Sequence, residues 1–393
     1  MTAYSVKGTG DMTVELKKAI KITSDSIKSL HVTRPTLLLD TKKTENNIDR
    51  MIRKAHKRAV RLRPHFKTHQ STEIGGWFRK SGINAITVSS VDMAVYFADD
   101  GWDDITIAFP VNILEIERLS VLASSVSLGL VVESVETVRF LESSLSGNAD
   151  LWIKTDTGYH RTGVLWNNSK EIVNIVESAG KSHNLSFRGL LSHAGNSYKA
   201  RSKDEIRMIF NDNIDKLNQT RDMLRSHGVT NIEISVGDTP GCSVTDTLEG
   251  MDEIRPGNFV FFDVSQYHLE SCDAYDISVA MACPVVAKHP DRNTIIVHGG
   301  AVHFSKDSLI LDGETFYGYG TIIRDNAWGD ILKDVRLVSI SQEHGVIRAP
   351  DDVLNNIEIG DLLLVLPVHS CLTVDLMRKY LTLDGDWILT ERA

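Results

Sequence analysis

The sequence predicts an α/β protein, a (β/α)8 barrel of the TIM type with a second, mostly β domain formed by the N- and C-terminal segments. Between residues 61 and 265, short apolar runs alternate with longer amphipathic stretches, which is the pattern of βα units around a parallel sheet. Eight such runs are present, the number that a closed barrel requires. Beyond residue 266 the strand-like runs continue without long helices between them, which indicates a separate β domain.

Each predicted barrel strand is a short apolar run, and most are followed by an amphipathic stretch that we expect to be helical. The strands are expected at residues 61–66, 85–88, 105–109, 126–132, 151–154, 187–191, 232–236 and 259–263. The helices are expected at residues 72–80, 91–98, 113–123, 135–145, 169–178 and 203–227, with only a short one within 241–250. A doubly wound open sheet is the alternative arrangement of the same units.

The second domain is predicted from four strand-like runs, at residues 279–286, 294–297, 334–340 and 362–366. An early run at 36–40 would be a ninth strand if it belonged to the barrel, so we assign it to the β domain. The predicted domains are therefore a barrel over 41–265 and a β domain built from 1–40 plus 266–393.

Composition excludes several classes of protein. A formal charge of −9 leaves no excess of cations for a nucleic acid, and no run of eighteen apolar residues is present to span a membrane. Residues 1–29 lack the apolar core of a secretory signal. Four scattered cysteines are too few for a disulfide framework in 393 residues. We expect a soluble, cytoplasmic protein that acts on a small molecule.

Lys67 is the first candidate for catalysis, because it lies in the segment R-P-H-F-K-T-H (63–69) at the end of the first predicted strand. Active sites of such barrels form at the carboxyl ends of the strands. A lysine there can lose contact with water, acquire a lowered pKa and form a Schiff base with a carbonyl cofactor. An ordinary solvated lysine is the alternative.

Other polar segments follow later strands and are expected at the same end of the barrel. They are D-T-G-Y-H-R-T-G (156–163), H-A-G-N-S-Y (193–198), G-D-T-P (237–240) and E-I-R-P-G-N (253–258). In order and content, these segments and Lys67 resemble the D-serine dehydratase and D-threonine aldolase family, which is similar in fold to the N-terminal domain of alanine racemases. The resemblance extends from Arg34 to Leu376. It implies pyridoxal 5′-phosphate (PLP) bound to Lys67, a D-amino acid substrate and a homodimer.

The turn after the seventh strand is expected to bind the cofactor phosphate. Gly237, Asp238 and Thr239 offer backbone N–H groups and a hydroxyl there, in a loop where barrels often bind phosphate. An ordinary Gly-Pro turn is the alternative. The resemblance also places Arg161 near the cofactor ring, where a guanidinium would leave the ring nitrogen unprotonated. An ion pair with Asp156 is the alternative for Arg161.

His193 and Tyr198 match the H-x-G-x-x-Y pattern of the family. The resemblance implies that they lie beside the cofactor as hydrogen-bonding or proton-handling groups. Either could instead be a core residue whose polar atoms are satisfied. The chain also departs from the family, with Gly241 where Thr or Ser is common and His298 where many relatives have Asp.

A metal site is expected near the C-terminus, where an apolar run leads into P-V-H-S-C (367–371). In an extended chain, residues two apart face the same side, so His369 and Cys371 would lie together. The resemblance places a divalent metal here, with Cys as second ligand in dehydratase-like members and Asp in the aldolases. Cys371 therefore favours Zn2+ and the dehydratases. Nearby, His344 in E-H-G (343–345) is a candidate substrate contact or simply part of a turn.

The expected activity is a PLP- and metal-dependent lyase reaction on small D-3-hydroxy amino acids. Elimination of water would give a 2-oxo acid and ammonia, and retro-aldol cleavage to glycine and an aldehyde is an alternative. An amino-acid racemase is a third reading, which needs a second base and no metal. A noncatalytic PLP carrier would leave the β domain and the pair His369 and Cys371 without a purpose.

Overall fold

A computed structural model describes residues 30–324 and 327–393. Residues 1–29, on which the sequence argument about a secretory signal depends, lie outside the described residues. The chain divides into two compact units. Among the described residues, the β unit comprises 30–41, 263–265 and 274–388, and the barrel unit comprises 42–262, 266–273 and 389–393. Among the described helices, none combines the length and the apolar character needed to cross a lipid bilayer.

The chain enters the β unit first, through strand β1 (Thr36–Leu39), and then forms the barrel unit. The elements that follow β1 are α1 (Thr41–Lys57), β2 (Arg61–Leu62), α2 (Thr72–Lys80), β3 (Ile86–Val88), α3 (Val91–Asp99), β4 (Asp104–Pro110), α4 (Ile116–Ser125), β5 (Ser127–Val132), α5 (Val135–Ser144), β6 (Ala149–Asp156), β7 (Val164–Leu165), α6 (Ser169–Ala179), β8 (Leu185–Ser192), α7 (Lys203–Ser226), β9 (Glu233–Val236), α8 (Thr239–Val244) and β10 (Glu253–Ile254).

Eight parallel strands form the barrel, in the order β2-β10-β9-β8-β6-β5-β4-β3, with the short β7 paired to β6. A parallel backbone bridge between His65 and Thr87 joins the two ends of this order and closes the ring. The predicted barrel is therefore confirmed, and the open-sheet alternative is wrong.

The helices of the barrel unit begin abruptly because their first turns are capped by side chains. Ser90, Ser134 and Ser202 each accept a hydrogen bond from the backbone N–H three residues later, which satisfies a donor at the start of α3, α5 and α7. Each of these caps fixes the residue at which its helix begins.

The eighth strand was predicted at the wrong place. The structure has it at β10, which pairs with β9 and β2, whereas the predicted run at 259–263 includes a 3-10 turn over Asn258–Val260. Phe262 has a φ of 51°, which a strand does not allow. Phe259 and Phe261 are buried, so the apolar character of this run reflects burial rather than strand formation. Helix α1 was not predicted at all.

The remaining elements belong almost entirely to the β unit. They are α9 (Val264–His268), β11 (Val279–His289), β12 (Thr294–His298), α10 (Ala301–Phe304), β13 (Leu309–Leu311), β14 (Glu314–Phe316), β15 (Gly318–Arg324), β16 (Ala327–Ile340), β17 (His344–Arg348), α11 (Asp351–Asn356), β18 (Leu362–Pro367), α12 (Ser370–Met377), β19 (Lys379–Thr382) and β20 (Trp387–Leu389).

The main sheet of the β unit has the order β12-β17-β16-β15-β18-β11-β1-β19-β20. An additional antiparallel pairing of β12 with β11 closes its first six strands into a small barrel. The four predicted runs correspond to β11, β12, β16 and β18. Strand β1 pairs with β11, so segments from both ends of the sequence share one sheet, as expected.

Candidate cofactor and metal sites

Lys67 lies in the turn that follows β2, at the carboxyl end of the barrel strands, and it is exposed to solvent. Its backbone N–H donates a hydrogen bond to Nδ1 of His65, at 3.4 Å. The turn is anchored by the neighbouring Phe66, which is fully buried against the aromatic rings of Phe78 and Trp102. The position of Lys67 is therefore fixed by packing beneath the turn, while its side chain faces water.

Four of the predicted site residues meet beside the carboxyl end of β8. Nδ1 of His193 lies 2.5 Å from the carbonyl oxygen of Gly237. Because a carbonyl can only accept, Nδ1 carries the ring proton and Nε2 presents a lone pair. The hydroxyl of Tyr198 accepts a hydrogen bond from the backbone N–H of Thr239 at 3.3 Å, and the rings of Tyr198 and His193 are 6.2 Å apart.

The pKa of His193 shows that cations surround this ring. Burial and, to a smaller extent, the positive charges of Lys67, Lys154 and Arg161 together lower this pKa to about 3, while the bond to Gly237 acts in the opposite direction. The imidazole is consequently neutral at neutral pH. Lys67 and Arg161, two of the predicted site residues, thus lower the pKa of a third, His193.

Sequence reasoning missed two buried cations in the same region. Lys154, at the end of an apolar strand run, has its pKa lowered to about 7 by burial and by the charges of Arg255 and Arg161. Arg255 has its pKa lowered to about 10, chiefly by burial, and it donates to Ser235 Oγ and to the carbonyl of Ser192. Within the described chain, neither cation has a carboxylate within 4.0 Å. A charged residue inside an apolar run was the signal available for Lys154.

The loop that carries Arg161 is organised by Asp156. One carboxylate oxygen of Asp156 accepts the backbone N–H groups of Gly158, Tyr159 and His160, and the other lies 2.9 Å from Nδ1 of His160. The guanidinium carbon of Arg161 instead lies 5.2 Å from the centre of the Tyr159 ring. The alternative that paired Arg161 with Asp156 is therefore wrong, because backbone donors and His160 occupy the carboxylate.

The turn after β9 offers a free donor at the place predicted for phosphate. The hydroxyl of Thr239 is fully buried, and within the described residues Oγ1 has no hydrogen-bond partner. A buried hydroxyl without a partner is costly, so an anion that accepts its proton fits here. A Cβ added to Gly237 would lie 2.9 Å from the carbonyl oxygen of Arg255, which explains why glycine stands at this close approach.

Asp238, between these two residues, is already engaged in capping α8. Its Oδ1 accepts the N–H of Gly241 at 2.6 Å and the hydroxyl of Ser197 at 2.9 Å. Burial raises the pKa of Asp238 to about 6, although both of these hydrogen bonds favour the ionised form. The fit to a phosphate therefore rests on Thr239 rather than on this carboxylate.

In the β unit, the predicted metal pair does not lie on a strand. Strand β18 ends at Pro367, His369 is the N-cap of α12, and Cys371 lies in the first turn of that helix. The two side chains nevertheless interact: burial alone would lower the pKa of His369, but hydrogen bonds to Asp307 and Cys371 raise it to about 11. The extended geometry predicted for the pair is thus wrong, whereas their proximity is observed.

Asp307 is a further residue at this pair that sequence reasoning missed. Its Oδ2 lies 2.5 Å from Nδ1 of His369, and this hydrogen bond is the main cause of the lowered pKa of Asp307. The carboxylate takes up Nδ1 and so leaves Nε2 of His369 available for a metal, which is how ligating histidines are commonly oriented. No motif in the sequence pointed to Asp307, which is 62 residues away.

Two segments of this chain match known protein families. Residues 39–265 match the alanine racemase N-terminal domain family. The chain belongs to this family. Residues 278–383 match a second family, D-ser_dehydrat, a serine dehydratase domain. The family that the sequence motifs resemble is thereby confirmed, together with the fold that the resemblance implied.

The named relatives of this chain include both dehydratases and aldolases. The chain is 28% identical to the D-threo-3-hydroxyaspartate dehydratase of Delftia sp. HT23, over 90% of this chain and 94% of that enzyme. The crystal structure of the same enzyme superposes with a TM-score of 0.84, covering 92% of this chain and 98% of the other at 27% identity.

Two further comparisons concern the same group. The D-serine dehydratase of Dictyostelium discoideum is 27% identical, over 92% of this chain and 96% of that enzyme. A solved cysteine-to-alanine mutant of a D-threo-3-hydroxyaspartate dehydratase, described as the metal-free form, has a TM-score of 0.84 at 26% identity, covering 92% of this chain and 98% of the mutant.

Proposed function

We propose that this chain is a PLP- and metal-dependent lyase that eliminates water from small D-3-hydroxy amino acids, giving a 2-oxo acid and ammonia. The observation that carries the proposal is the interaction of His369 with Cys371, with Asp307 on the other side of the imidazole. A metal ion held by a histidine and a thiolate is suited to assist the departure of a hydroxyl group. The dehydratase relatives support the same reaction.

PLP would be held in the barrel, residues 41–265, by a covalent bond to Lys67 and by its phosphate on Thr239 and Gly237. The free hydroxyl of Thr239 supports this placement. When bound, PLP supplies an electron sink for the negative charge that develops at Cα of an amino acid. Arg161, which cannot readily give up its proton, would leave the ring nitrogen unprotonated.

The residues of the barrel have distinct tasks in this proposal. Lys67 would take the proton from Cα of the substrate. His193 stays neutral, and the hydrogen bond of Nδ1 to Gly237 leaves Nε2 to accept a hydrogen bond. The positive charges of Lys154 and Arg255, which lack carboxylate partners within 4.0 Å in the described chain, attract the anionic cofactor and substrate.

The metal, which we take to be Zn2+, would be held in the β domain (1–40 plus 266–393) by His369 and Cys371. A thiolate and an imidazole favour zinc over magnesium or calcium. When bound, the ion supplies Lewis acidity at the leaving hydroxyl group. The metal-free cysteine mutant of a D-threo-3-hydroxyaspartate dehydratase supports a cysteine ligand in this group of proteins.

The cofactor assignment is tested by the visible absorbance that PLP gains when it is bound to a lysine. Purified protein should show this band, and Lys67→Ala should abolish both the band and turnover. Lys80→Ala is a matched control, since Lys80 is an exposed lysine at the end of α2. A colourless wild-type protein that gains no colour when PLP is added would refute the assignment.

The metal assignment is tested by zinc content. Cys371→Ala should lose the ion bound at this site and turnover together, while Cys272→Ala should keep both. Asp307→Asn should keep the ligands but weaken metal affinity about 10- to 100-fold, because His369 loses the carboxylate that orients it. Full activity of Cys371→Ala after treatment with a chelator would reject a role of the metal.

The proposal also includes a cytoplasmic location and a homodimer. All four cysteines are thiols rather than disulfides, which supports a reducing compartment. The homodimer is proposed because family members are generally dimeric. Light scattering on purified protein should give twice the mass of one chain, and the mass of a single chain at all concentrations would reject the dimer.

A further inference from the structure

Two histidines and a glutamate converge in the β unit without any role in the proposed reaction. His298 is the last residue of β12, His303 lies in α10, and Glu343 lies in the turn between β16 and β17. One possible ligand atom from each of the three lies within 4.8 Å of the others. We propose that His298, His303 and Glu343 form a second metal site, which binds a divalent transition-metal ion such as Zn2+.

The distances are close to those of a metal-bound set. Oε2 of Glu343 lies 3.2 Å from Nε2 of His298 and 3.8 Å from Nε2 of His303. Ligands on a tetrahedral zinc ion with bonds of 2.0–2.1 Å are about 3.3 Å apart. The two imidazole planes are 85° apart with centroids separated by 5.5 Å, so the two rings approach the carboxylate from different directions. Small side-chain movements complete the geometry, and water takes the remaining position.

Backbone contacts hold the segments that carry His298, His303 and Glu343 close together. Gly299 N–H donates to the carbonyl of Glu343 at 2.9 Å, and His298 is paired with His344 across β12 and β17. A Cβ on Gly300 would lie 2.3 Å from the carbonyl oxygen of Ser341, so only glycine allows the two segments to approach this closely. The ligands are therefore carried by hydrogen-bonded elements, as a defined metal site requires.

The ligand chemistry selects the ion. Two imidazoles and one carboxylate suit zinc and its neighbours in the first transition row, whereas magnesium prefers oxygen ligands. Nδ1 of His303 accepts a backbone N–H, which only a neutral imidazole can do, and coordination needs this protonation state.

One hydrogen bond must be exchanged when the ion binds. Nδ1 of His303 accepts the N–H of Gly300 at 3.1 Å, so its ring proton is on Nε2 in the metal-free chain. Coordination through Nε2 moves that proton to Nδ1 and releases the Gly300 N–H. Helix α10 has only four residues and starts after two glycines, so its first turn can adjust. Metal binding should therefore accelerate hydrogen exchange at the Gly300 amide.

The test uses full-length protein that carries PLP, in which His369→Ala and Cys371→Ala together remove the first proposed site. Titration with Zn2+, followed by calorimetry and elemental analysis, should show one bound ion per chain, and Mg2+ should give no binding. Adding Glu343→Gln or, separately, His298→Asn should weaken Zn2+ binding at least 100-fold. His289→Asn, another histidine of the β unit, should leave it unchanged.

Each outcome bears on this site alone. Both substituted side chains are substantially exposed, so unchanged circular dichroism is expected and loss of binding reports on coordination. Absence of Zn2+ binding in the His369→Ala, Cys371→Ala background would overturn the proposal. Binding that survives both Glu343→Gln and His298→Asn with unchanged affinity would also overturn it. Neither result depends on whether the chain is a lyase.

Discussion

The two ends of the barrel differ in whether their buried cations have carboxylate partners. At the amino ends of the strands, buried cations are paired with carboxylates, whereas at the carboxyl ends buried cations collect without them. In barrels of this kind, the first end is associated with stability and the second with activity. The comparison shows which charges hold this chain together and which ones can still take up an anionic ligand.

Arg63, directly after β2, is the centre of an ion-pair network with Asp104 and Glu253, which are the first residues of β4 and β10. Its Nε lies 2.8 Å from Oε2 of Glu253, and its Nη1 lies 2.6 Å from Oδ1 of Asp104. Burial alone would raise the pKa of Glu253, but the charge of Arg63 and its hydrogen bond lower it. Each buried charge is thus satisfied by its partner, and the network ties β2, β4 and β10 together.

At the carboxyl ends, the pKa values of the buried cations fall, because burial disfavours their charged forms. The pKa of Lys154 falls to about 7 and that of Arg255 to about 10, in both cases chiefly because of burial. Lys67 and Arg161 add positive charge near His193. An anionic cofactor and a carboxylate substrate would supply the missing partners, so this end gains most from binding.

The largest expected effect comes from breaking the paired end. Glu253→Gln leaves Arg63 without the more buried of its two carboxylate partners, and we expect a loss of about 3–5 kcal/mol in the free energy of unfolding. Urea denaturation of wild type and variant measures it. Glu249→Gln, at an exposed glutamate, is the control and should change stability by less than about 0.5 kcal/mol. A similarly small change for Glu253→Gln would mean that the ion-pair network does not contribute to the free energy of unfolding.

A smaller effect, of opposite sign, is expected at the unpaired end. The folded-state pKa of Lys154 is about 7, against 10.5 for a solvated lysine, so the folded chain binds fewer protons between these pH values. The wild-type stability therefore rises with pH across this window. Lys154→Met should stabilise the cofactor-free protein by about 2–4 kcal/mol near pH 7, with a gain that shrinks toward pH 9.

The control for this variant is Lys80→Met, at an exposed lysine, which should give no pH-dependent gain. Urea denaturation at several pH values measures both variants. Destabilisation by Lys154→Met at pH 7 would show that the ammonium is well accommodated, and the contrast between the two ends would then fail.

The smallest effect is expected at Asp238, whose pKa of about 6 lies above the 3.8 of a solvated aspartate. The folded chain binds more protons between these values, so this carboxyl lowers stability as the pH rises through the window. Asp238→Asn keeps the oxygen that accepts from Gly241, and it should stabilise the cofactor-free protein by about 1–2 kcal/mol at pH 7 and less at pH 5. Asp99→Asn, at an exposed site, is the control, and a gain independent of pH would contradict the explanation.

Local signals in the sequence were sufficient for most of the barrel and for several candidate residues. The polar segments that carry His193, Tyr198 and Thr239 were expected at one end of the barrel, and the structure brings them into contact. Apolar character alone misled at 259–263, because buried phenylalanines in a turn look like a strand.

Other features could not be predicted because they depend on contacts between distant parts of the chain. Asp307 reaches His369 across 62 positions, and the cluster of His298, His303 and Glu343 forms only when β12 and β17 pair. The proximity of His369 and Cys371 was predicted from a strand, but it arises at the start of a helix. The residue types were visible in the sequence, while their geometry required the fold.

The most direct test is product analysis after incubation of PLP- and zinc-loaded protein with D-serine, D-threonine and D-3-hydroxyaspartate. Elimination predicts a 2-oxo acid and an equal amount of ammonia from at least one of them, with no product from Lys67→Ala. Glycine and an aldehyde would show retro-aldol cleavage, and the L-enantiomer would show racemisation. Either of these results in place of a 2-oxo acid, or no turnover at all, would contradict the proposed elimination.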